Sequence, residues 1–157
     1  MRIEYFQLID RIIALNLVDK TIRTEATVPT ASTIFEGHFP GYPLMPGVLL
    51  IESMAQTSGW LIVALTHFER MPFLAALKDV KFRTFVNPGE RMSLSAKLVH
   101  DGSGYAIMDA ECRVDDKLVC DATITFRVMP FPNTQFRTSM QQVAERLDFP
   151  METVGNG

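Results

Sequence analysis

From Met92 onward apolar residues fall on every second position. Met92, Leu94, Ala96 and Leu98 alternate with Ser93, Ser95 and Lys97. Ala106, Met108, Ala110, Cys112 and Val114 alternate with Ile107, Asp109, Glu111 and Arg113, and Leu118, Cys120, Ala122, Ile124, Phe126 and Val128 continue the pattern. A period of two belongs to strands with one buried face, as in an antiparallel sheet. Asn87-Pro88-Gly89, Asp101-Gly102-Ser103-Gly104 and Asp115-Asp116-Lys117 carry turn chemistry between them. A further strand is expected between Asp19 and Pro29, and Phe6, Leu8, Ile9, Ile12 and Ile13 fit a short amphipathic helix.

The middle of the chain follows a different rule. Pro29 to Pro46 is rich in turn residues. Pro46 suits a first helical turn, where a missing N–H costs nothing, and Gly47 lets a ligand approach the backbone. The helix that follows runs to about Thr66, apolar on nearly every face, which predicts that it is enclosed on all sides. Glu52, Ser53, Gln56, Thr57, Ser58 and Gly59 interrupt it, so a buried helix is expected rather than a membrane span. One buried helix beside antiparallel strands implies an α+β domain, a sheet wrapped round the helix with its even-numbered apolar side chains facing inward. For both apolar sets to share that face, Val114 should oppose Leu118 through a three-residue connection or a bulge, which sets Cys112 opposite Cys120. Two buried thiols are expected there rather than a cross-strand disulfide.

Composition narrows the class. The chain has 157 residues, 47% of them hydrophobic, enough for one core without staples. A net charge of −3 argues against a general nucleic-acid binder. Charges at Arg2 and Glu4 fall where a secretory signal needs an apolar run, so no such signal and a cytoplasmic location are expected. Two cysteines without a CxxC pair and three scattered histidines offer no metal-ligand spacing. The sheet domain should occupy residues 1–130. Residues 131–157, broken by Pro132 and Pro150, form an extension in which Thr138 or Ser139 could cap a short helix carrying Met140, Val143, Ala144 and Leu147. Thr153 to Gly157 should fray.

Candidate chemistry sits at the mouth of the long helix. Glu52 is the one charged side chain between Phe39 and Thr66. An unpaired carboxylate among Leu49, Leu50, Ile51, Met54 and Ala55 is costly, which favours the neutral acid. His38 lies on the turn before the helix, between Gly37 and Phe39-Pro40-Gly41. A neutral acid beside an imidazole is the equipment for taking a proton off carbon and giving one to a leaving oxygen. Backbone N–H groups of Gly47 and Val48, at the positive end of the helix, could hold a carbonyl oxygen as it gains charge. A Glu52 that merely bonds a buried partner is the plainer alternative.

The segment Phe35-Glu36-Gly37-His38-Phe39-Pro40-Gly41-Tyr42-Pro43-Leu44-Met45-Pro46-Gly47-Val48-Leu49-Leu50-Ile51-Glu52-Ser53-Met54-Ala55-Gln56 resembles the active-site signature of bacterial (3R)-3-hydroxyacyl-[acyl-carrier-protein] dehydratases, hot-dog-fold enzymes of type II fatty-acid synthesis. Lys81-Phe82-Arg83, Pro88-Gly89-Glu90 and the stretch from Val114 to Ala122 are also similar, and the likeness extends roughly from Phe6 to Val128. It departs at Arg2-Ile3-Glu4-Tyr5, at Phe85 in place of a usual proline, and in the tail beyond Val128.

The resemblance implies that His38 removes the C2 proton, that Glu52 protonates the departing C3 hydroxyl, and that Gly47 and Val48 bind the thioester carbonyl. Glu52, where other members carry Asp, implies dehydration without isomerisation. It implies no cofactor of the enzyme's own, the substrate arriving on the phosphopantetheine arm of acyl carrier protein. It also implies a homodimer, or a trimer of dimers, with His38 of one subunit facing Glu52 of the other. A rim of Lys78, Lys81, Arg83 and Arg91, against Asp79 and Glu90, could steer that acidic carrier. Hydrolysis of acyl thioesters on the same fold, and a non-catalytic carrier-binding subunit, are the rival readings.

Overall fold

Helix α2 (Gly47–Leu65) is the axis of the structure, a computed structural model that describes residues 1–155. A six-stranded antiparallel sheet curls round it in the order β1-β2-β4-β5-β6-β3. The strands are β1 (Arg11–Asn16), β2 (Thr21–Thr27), β3 (Arg70–Phe82), β4 (Arg91–Gly102), β5 (Tyr105–Val114) and β6 (Lys117–Pro130). The fold is α+β, a hot-dog arrangement as expected. Met92, Leu94, Met108, Cys112, Cys120 and Ile124 all face the helix and are fully buried.

Because α2 is surrounded by apolar side chains, its own hydroxyls must find partners along it. Ser53, Thr57 and Ser58 donate to the carbonyls four residues back, at Leu49, Ser53 and Met54. Thr24 on β2 lies 2.8 Å from the Thr57 hydroxyl. Since Thr57 gives its proton to Ser53, Thr24 is the donor in that pair. By length and composition α2 could cross a membrane, but 67% of its most apolar window is buried in the protein, which makes it a core helix.

Enclosure is not complete. Val48 is exposed, and Ile51, Glu52 and Gln56 are half-buried. These positions follow the spacing of one helical face, so the sheet leaves a stripe open on the first turns of α2.

The register places Cys112 opposite Cys120, as expected, but Val114 pairs with Lys117 rather than Leu118. The connection is the two-residue turn Asp115-Asp116, both residues at positive φ as hairpin turns of this length require. A bulge at Val119 restores the inward face. Both thiols are free and buried. Burial pushes the Cys112 thiol up to about 12, with Cys120 adding to it, and the Cys120 thiol up to about 11, with Asp121 adding to it.

Three expectations for the ends are corrected. The opening segment is not an amphipathic helix. A single 3-10 turn (Ile3–Tyr5) precedes β1, whose β-branched Ile12 and Ile13 suit a strand. There, Arg11 pairs with Glu25 of β2 at 2.9 Å. The helix of the extension, α3 (Thr134–Arg146), starts earlier than Thr138, because the Asn133 side chain accepts from the Phe136 N–H at 2.8 Å. Thr153 and Val154 belong to a further turn, α4 (Met151–Val154), with Val154 buried and its carbonyl 3.1 Å from Nδ1 of His67; Asn156 and Gly157 lie outside the described residues.

The extension packs into the same core. Phe149 packs against Trp60 and Phe68 with ring centroids 5.9 and 5.2 Å away. The Ile12 N–H donates to the Leu147 carbonyl at 2.8 Å.

Candidate active site

His38 is set by a short helix and a tight turn. Ser32 caps α1 (Thr33–Gly37), accepting from the Ile34 N–H, and the backbone N–H of His38 closes that helix on Ile34 at 3.0 Å. The chain then reverses through Phe39-Pro40-Gly41-Tyr42. Proline fixes the second position and Gly41 takes φ of +72°, a conformation side chains disfavour. Phe39 and Tyr42 exchange backbone hydrogen bonds across this turn. Leu44 comes back to His38, donating its N–H to the His38 carbonyl at 2.9 Å.

The Leu44 carbonyl lies 3.0 Å from Nδ1 of His38. A carbonyl can only accept, so Nδ1 carries the proton and donates it. In the neutral ring this leaves the lone pair on Nε2, the form a general base needs. Phe39 stacks on the imidazole at 4.1 Å between centroids.

The same turn delivers the start of α2. Met45 is tied to Val86 through its N–H at 2.9 Å, and Pro46 caps the helix. Leu49 and Leu50 donate to the Pro46 carbonyl, whereas the N–H groups of Gly47 and Val48 have no acceptor among the described residues. His38, Gly47, Leu50, Phe82, Arg83 and Phe85 line one cleft of about 510 Å³. The imidazole and a helix end with free donors thus share a space.

Glu52 does not join them in the single chain. It lines a second cavity, of about 530 Å³, with Gln56, Trp60, Met71, Leu74 and residues of α3. Its carboxylate accepts from Nε2 of Gln56 at 3.3 Å. Gln56 is held in turn by the N-terminal segment, donating to the Phe6 carbonyl at 2.7 Å and accepting from the Leu8 N–H at 3.2 Å. Gln56 therefore ties Glu52 to the N-terminal segment, a link that sequence reasoning missed, although its place one turn beyond Glu52 on the same face was visible.

The basic rim is divided by the structure. Lys78, Lys81 and Arg83 follow one another along β3 and just beyond it, and Arg83 reaches the cleft of His38 while paired with Asp121 at 2.7 Å. Arg91 begins β4, with β5 and β6 between it and β3, and pairs with Glu25. That pairing, followed by Arg11, holds the Glu25 carboxyl below its usual range. Among the described residues no group of His, Cys, Asp and Glu side chains could hold a metal ion.

The model of the FabA-like domain matches residues 2–123. The chain belongs to the FabA-like domain family. A relative from Lactococcus lactis subsp. cremoris (strain SK11), named 3-hydroxyacyl-[acyl-carrier-protein] dehydratase FabZ, is 37% identical over 122 residues, covering 77% of this chain and 83% of its own. Among solved structures, the conserved protein PA5202 from Pseudomonas aeruginosa is similar with a TM-score of 0.63 and 22% identity, over 80% of this chain and 93% of that one. A hypothetical thioesterase with coenzyme A from Streptococcus pneumoniae TIGR4 aligns with a TM-score of 0.60 and 16% identity, over 78% and 88%. At such identities the two structures bear on the fold alone. The family match stops before α3 (Thr134–Arg146).

Proposed function

We propose that this FabA-like protein is a hydro-lyase that converts (3R)-3-hydroxyacyl-[acyl-carrier protein] to the trans-2-enoyl thioester in fatty-acid or lipid synthesis. The observation that carries the reading is the His38 cleft. There an imidazole with Nδ1 committed to Leu44 lines the same space as Gly47, at the start of α2 where two N–H groups are free. With the thioester carbonyl oxygen on the Gly47 and Val48 N–H groups, charge developing on that oxygen is stabilised, and such donors are each worth about 10²–10³ in rate. Nε2 of His38 takes the C2 proton, the C2–H electrons form the C2=C3 bond, and the C3 hydroxyl departs as water with a proton from Glu52. Acid–base groups of this kind contribute about 10²–10⁴. Returning the proton from His38 to Glu52 resets the site.

This mechanism needs His38 and Glu52 at neighbouring carbons, and in one chain they line different cavities. The working unit is accordingly a homodimer, alone or as a trimer of dimers, in which His38 of one subunit meets Glu52 of the other. The sheet supports this. β3 is an edge strand of 13 residues that leaves Phe73, Leu74 and Leu77 exposed, the kind of edge that pairs with another chain. Lys78 and Lys81 on that strand, with Arg83, give an acidic carrier protein a place to dock with its phosphopantetheine arm toward the cleft. The enzyme works in the cytoplasm and needs no cofactor of its own.

Subunit mixing tests the whole reading. His38→Asn and Glu52→Gln are each expected to lose enoyl formation by at least about a hundredfold. Co-expressed with different tags and purified as a random mixture, the two should recover about a quarter of the unmodified activity. About half of the dimers are then mixed, and each mixed dimer keeps one intact site of two. A mixture no more active than its parents would refute the shared site. Free thiol release without enoyl absorbance in the unmodified protein would point to hydrolysis instead.

A further inference from the structure

The cavity that holds Glu52 is lined in part by the extension. Met140 and Val143 of α3 and Leu147 just beyond it line it together with Trp60 and Val63 of α2 and Met71 and Leu74 of β3. The wall is anchored rather than loosely laid. Ala144 and Leu147 are buried, Phe149 packs on Trp60 and Phe68, and β1 holds the Leu147 carbonyl. Gly59 contributes to the same lining, and a Cβ there would stand 3.3 Å from Pro72, so α2 and β3 are already in close contact at this point of the cavity wall. Met140, Val143 and Leu147 are apolar, and Arg146 of α3 also lines the cavity, with Arg2, Gln7, Asp10, Glu52 and Gln56 among its other polar groups.

We propose that Met140 and Val143 of α3, with Leu147 just beyond it, meet the far end of the acyl chain and set the longest chain the site accepts. This rests on the dehydratase reading, in which C3 of the substrate lies at Glu52 and the rest of the acyl chain must continue from it. The cavity that Glu52 and the anchored helix both line is the space open to it. Each methylene that enters such a cavity tightens binding about fourfold. The gain stops where the chain meets α3. Because the family match ends before this helix, the stop belongs to the extension and not to the shared domain.

Trp60 is the protein's single tryptophan and lines the cavity, so its emission reports occupancy without any reaction. The unmodified protein is titrated with saturated acyl-pantetheine thioesters of increasing length, which cannot be dehydrated. Affinity should rise about fourfold per methylene and then break at one length. Val143→Phe should move the break to shorter chains, and Met140→Ala to longer ones. Gln142→Phe, which adds the same ring on the exposed side of α3, should leave it in place. A break at one unchanged length in both Val143→Phe and Met140→Ala, in variants with the unmodified circular dichroism, would overturn the proposal, as would an emission that no chain length alters. Enoyl formation from carrier-bound hydroxyacyl substrates is followed separately. Its absence in the unmodified protein would remove the dehydratase reading, while the fluorescence series would still say whether α3 limits the cavity.

Discussion

Gly47 offers the sharpest test of how the substrate carbonyl is held. A Cβ built on it would stand 3.0 Å from Cε1 and 3.2 Å from Cζ of Phe82. Carbon atoms pack comfortably at about 3.5–4.0 Å, so the ring must retreat by about 0.5–1 Å. Phe82 is 50% exposed and has room to do so. The fold should therefore tolerate Gly47→Ala. The cost of moving a half-exposed ring is set against alanine's better helix propensity, about 1 kcal/mol at most. A melting temperature within about 4 °C of the unmodified protein follows.

Catalysis should not tolerate it. The added methyl and the displaced ring both lie in the cleft shared with His38, beside the free N–H groups. Losing one such donor costs about 10²–10³ in rate. The assay is enoyl formation on a carrier-bound substrate, with kcat/KM expected to fall by about that factor. The double variant with Phe82→Ala separates the two causes. If the ring is what blocks the site, trimming it restores turnover; if the methyl covers the donor, the loss remains. A Gly47→Ala protein within twofold of the unmodified kcat/KM would refute the assignment of this helix end as the carbonyl site.

The buried hydroxyl pair gives a stability prediction. Thr57→Val leaves the fully buried Thr24 hydroxyl without its acceptor and should cost about 1–3 kcal/mol, Thr24→Val should cost less, and the double variant should recover most of the loss in thermal melts; a double variant as unstable as the sum of the singles would disprove the pairing. The two thiols set an alkaline limit. Their folded values, about 12 and about 11, lie above the roughly 8.5 of an unfolded cysteine, so their contribution is intact below about pH 8.5. It declines as pH rises from there toward 11–12, because the unfolded chain releases protons that the folded one retains. Urea midpoints measured against pH should show that decline, and Cys112→Ala with Cys120→Ala should flatten it.

The elements that could be read from the chain are those whose burial is settled within one subunit. β4, β5 and β6 alternate because one face lies on α2, and that was enough to set Cys112 against Cys120. β3 carries no such alternation. Met71-Pro72-Phe73-Leu74-Ala75-Ala76-Leu77 is a plain apolar run with a proline near its start, and in the isolated chain most of it is exposed. With nearly all of its side chains exposed, it shows no alternation of buried and open positions, so the strand was invisible to period counting. The opening helix failed for a different reason: Ile13 is the extra residue of a bulge between Ile12 and Ala14, and the bulge breaks the strand signal. His38 and Glu52 were legible because histidine in a rigid turn and a charge in a greasy helix are both out of place. Their separation into two cavities was not legible from period or spacing; only the family resemblance implied that the two come from different subunits.

That separation and the bare edge of β3 are two problems with one solution. An unpaired apolar edge strand is an aggregation hazard unless something covers it, and a proton relay divided between two cavities cannot turn over. A two-fold axis beside β3 would cover the edge with its own copy and, in the same operation, bring the His38 cleft of one subunit against Glu52 of the other. The consequence reaches the substrate. Its carbonyl would be gripped by Gly47 and Val48 of the first subunit, while its acyl chain ran past Glu52 toward α3 of the second. The carbonyl grip and the chain-length stop would then lie on different subunits, and turnover could not begin before the dimer forms. Weakening the β3 pairing, as with Leu77→Glu, should therefore remove turnover while the chain-length break in the Trp60 series, whose cavity one subunit lines by itself, remains; full turnover in a monomeric Leu77→Glu protein would refute the shared site.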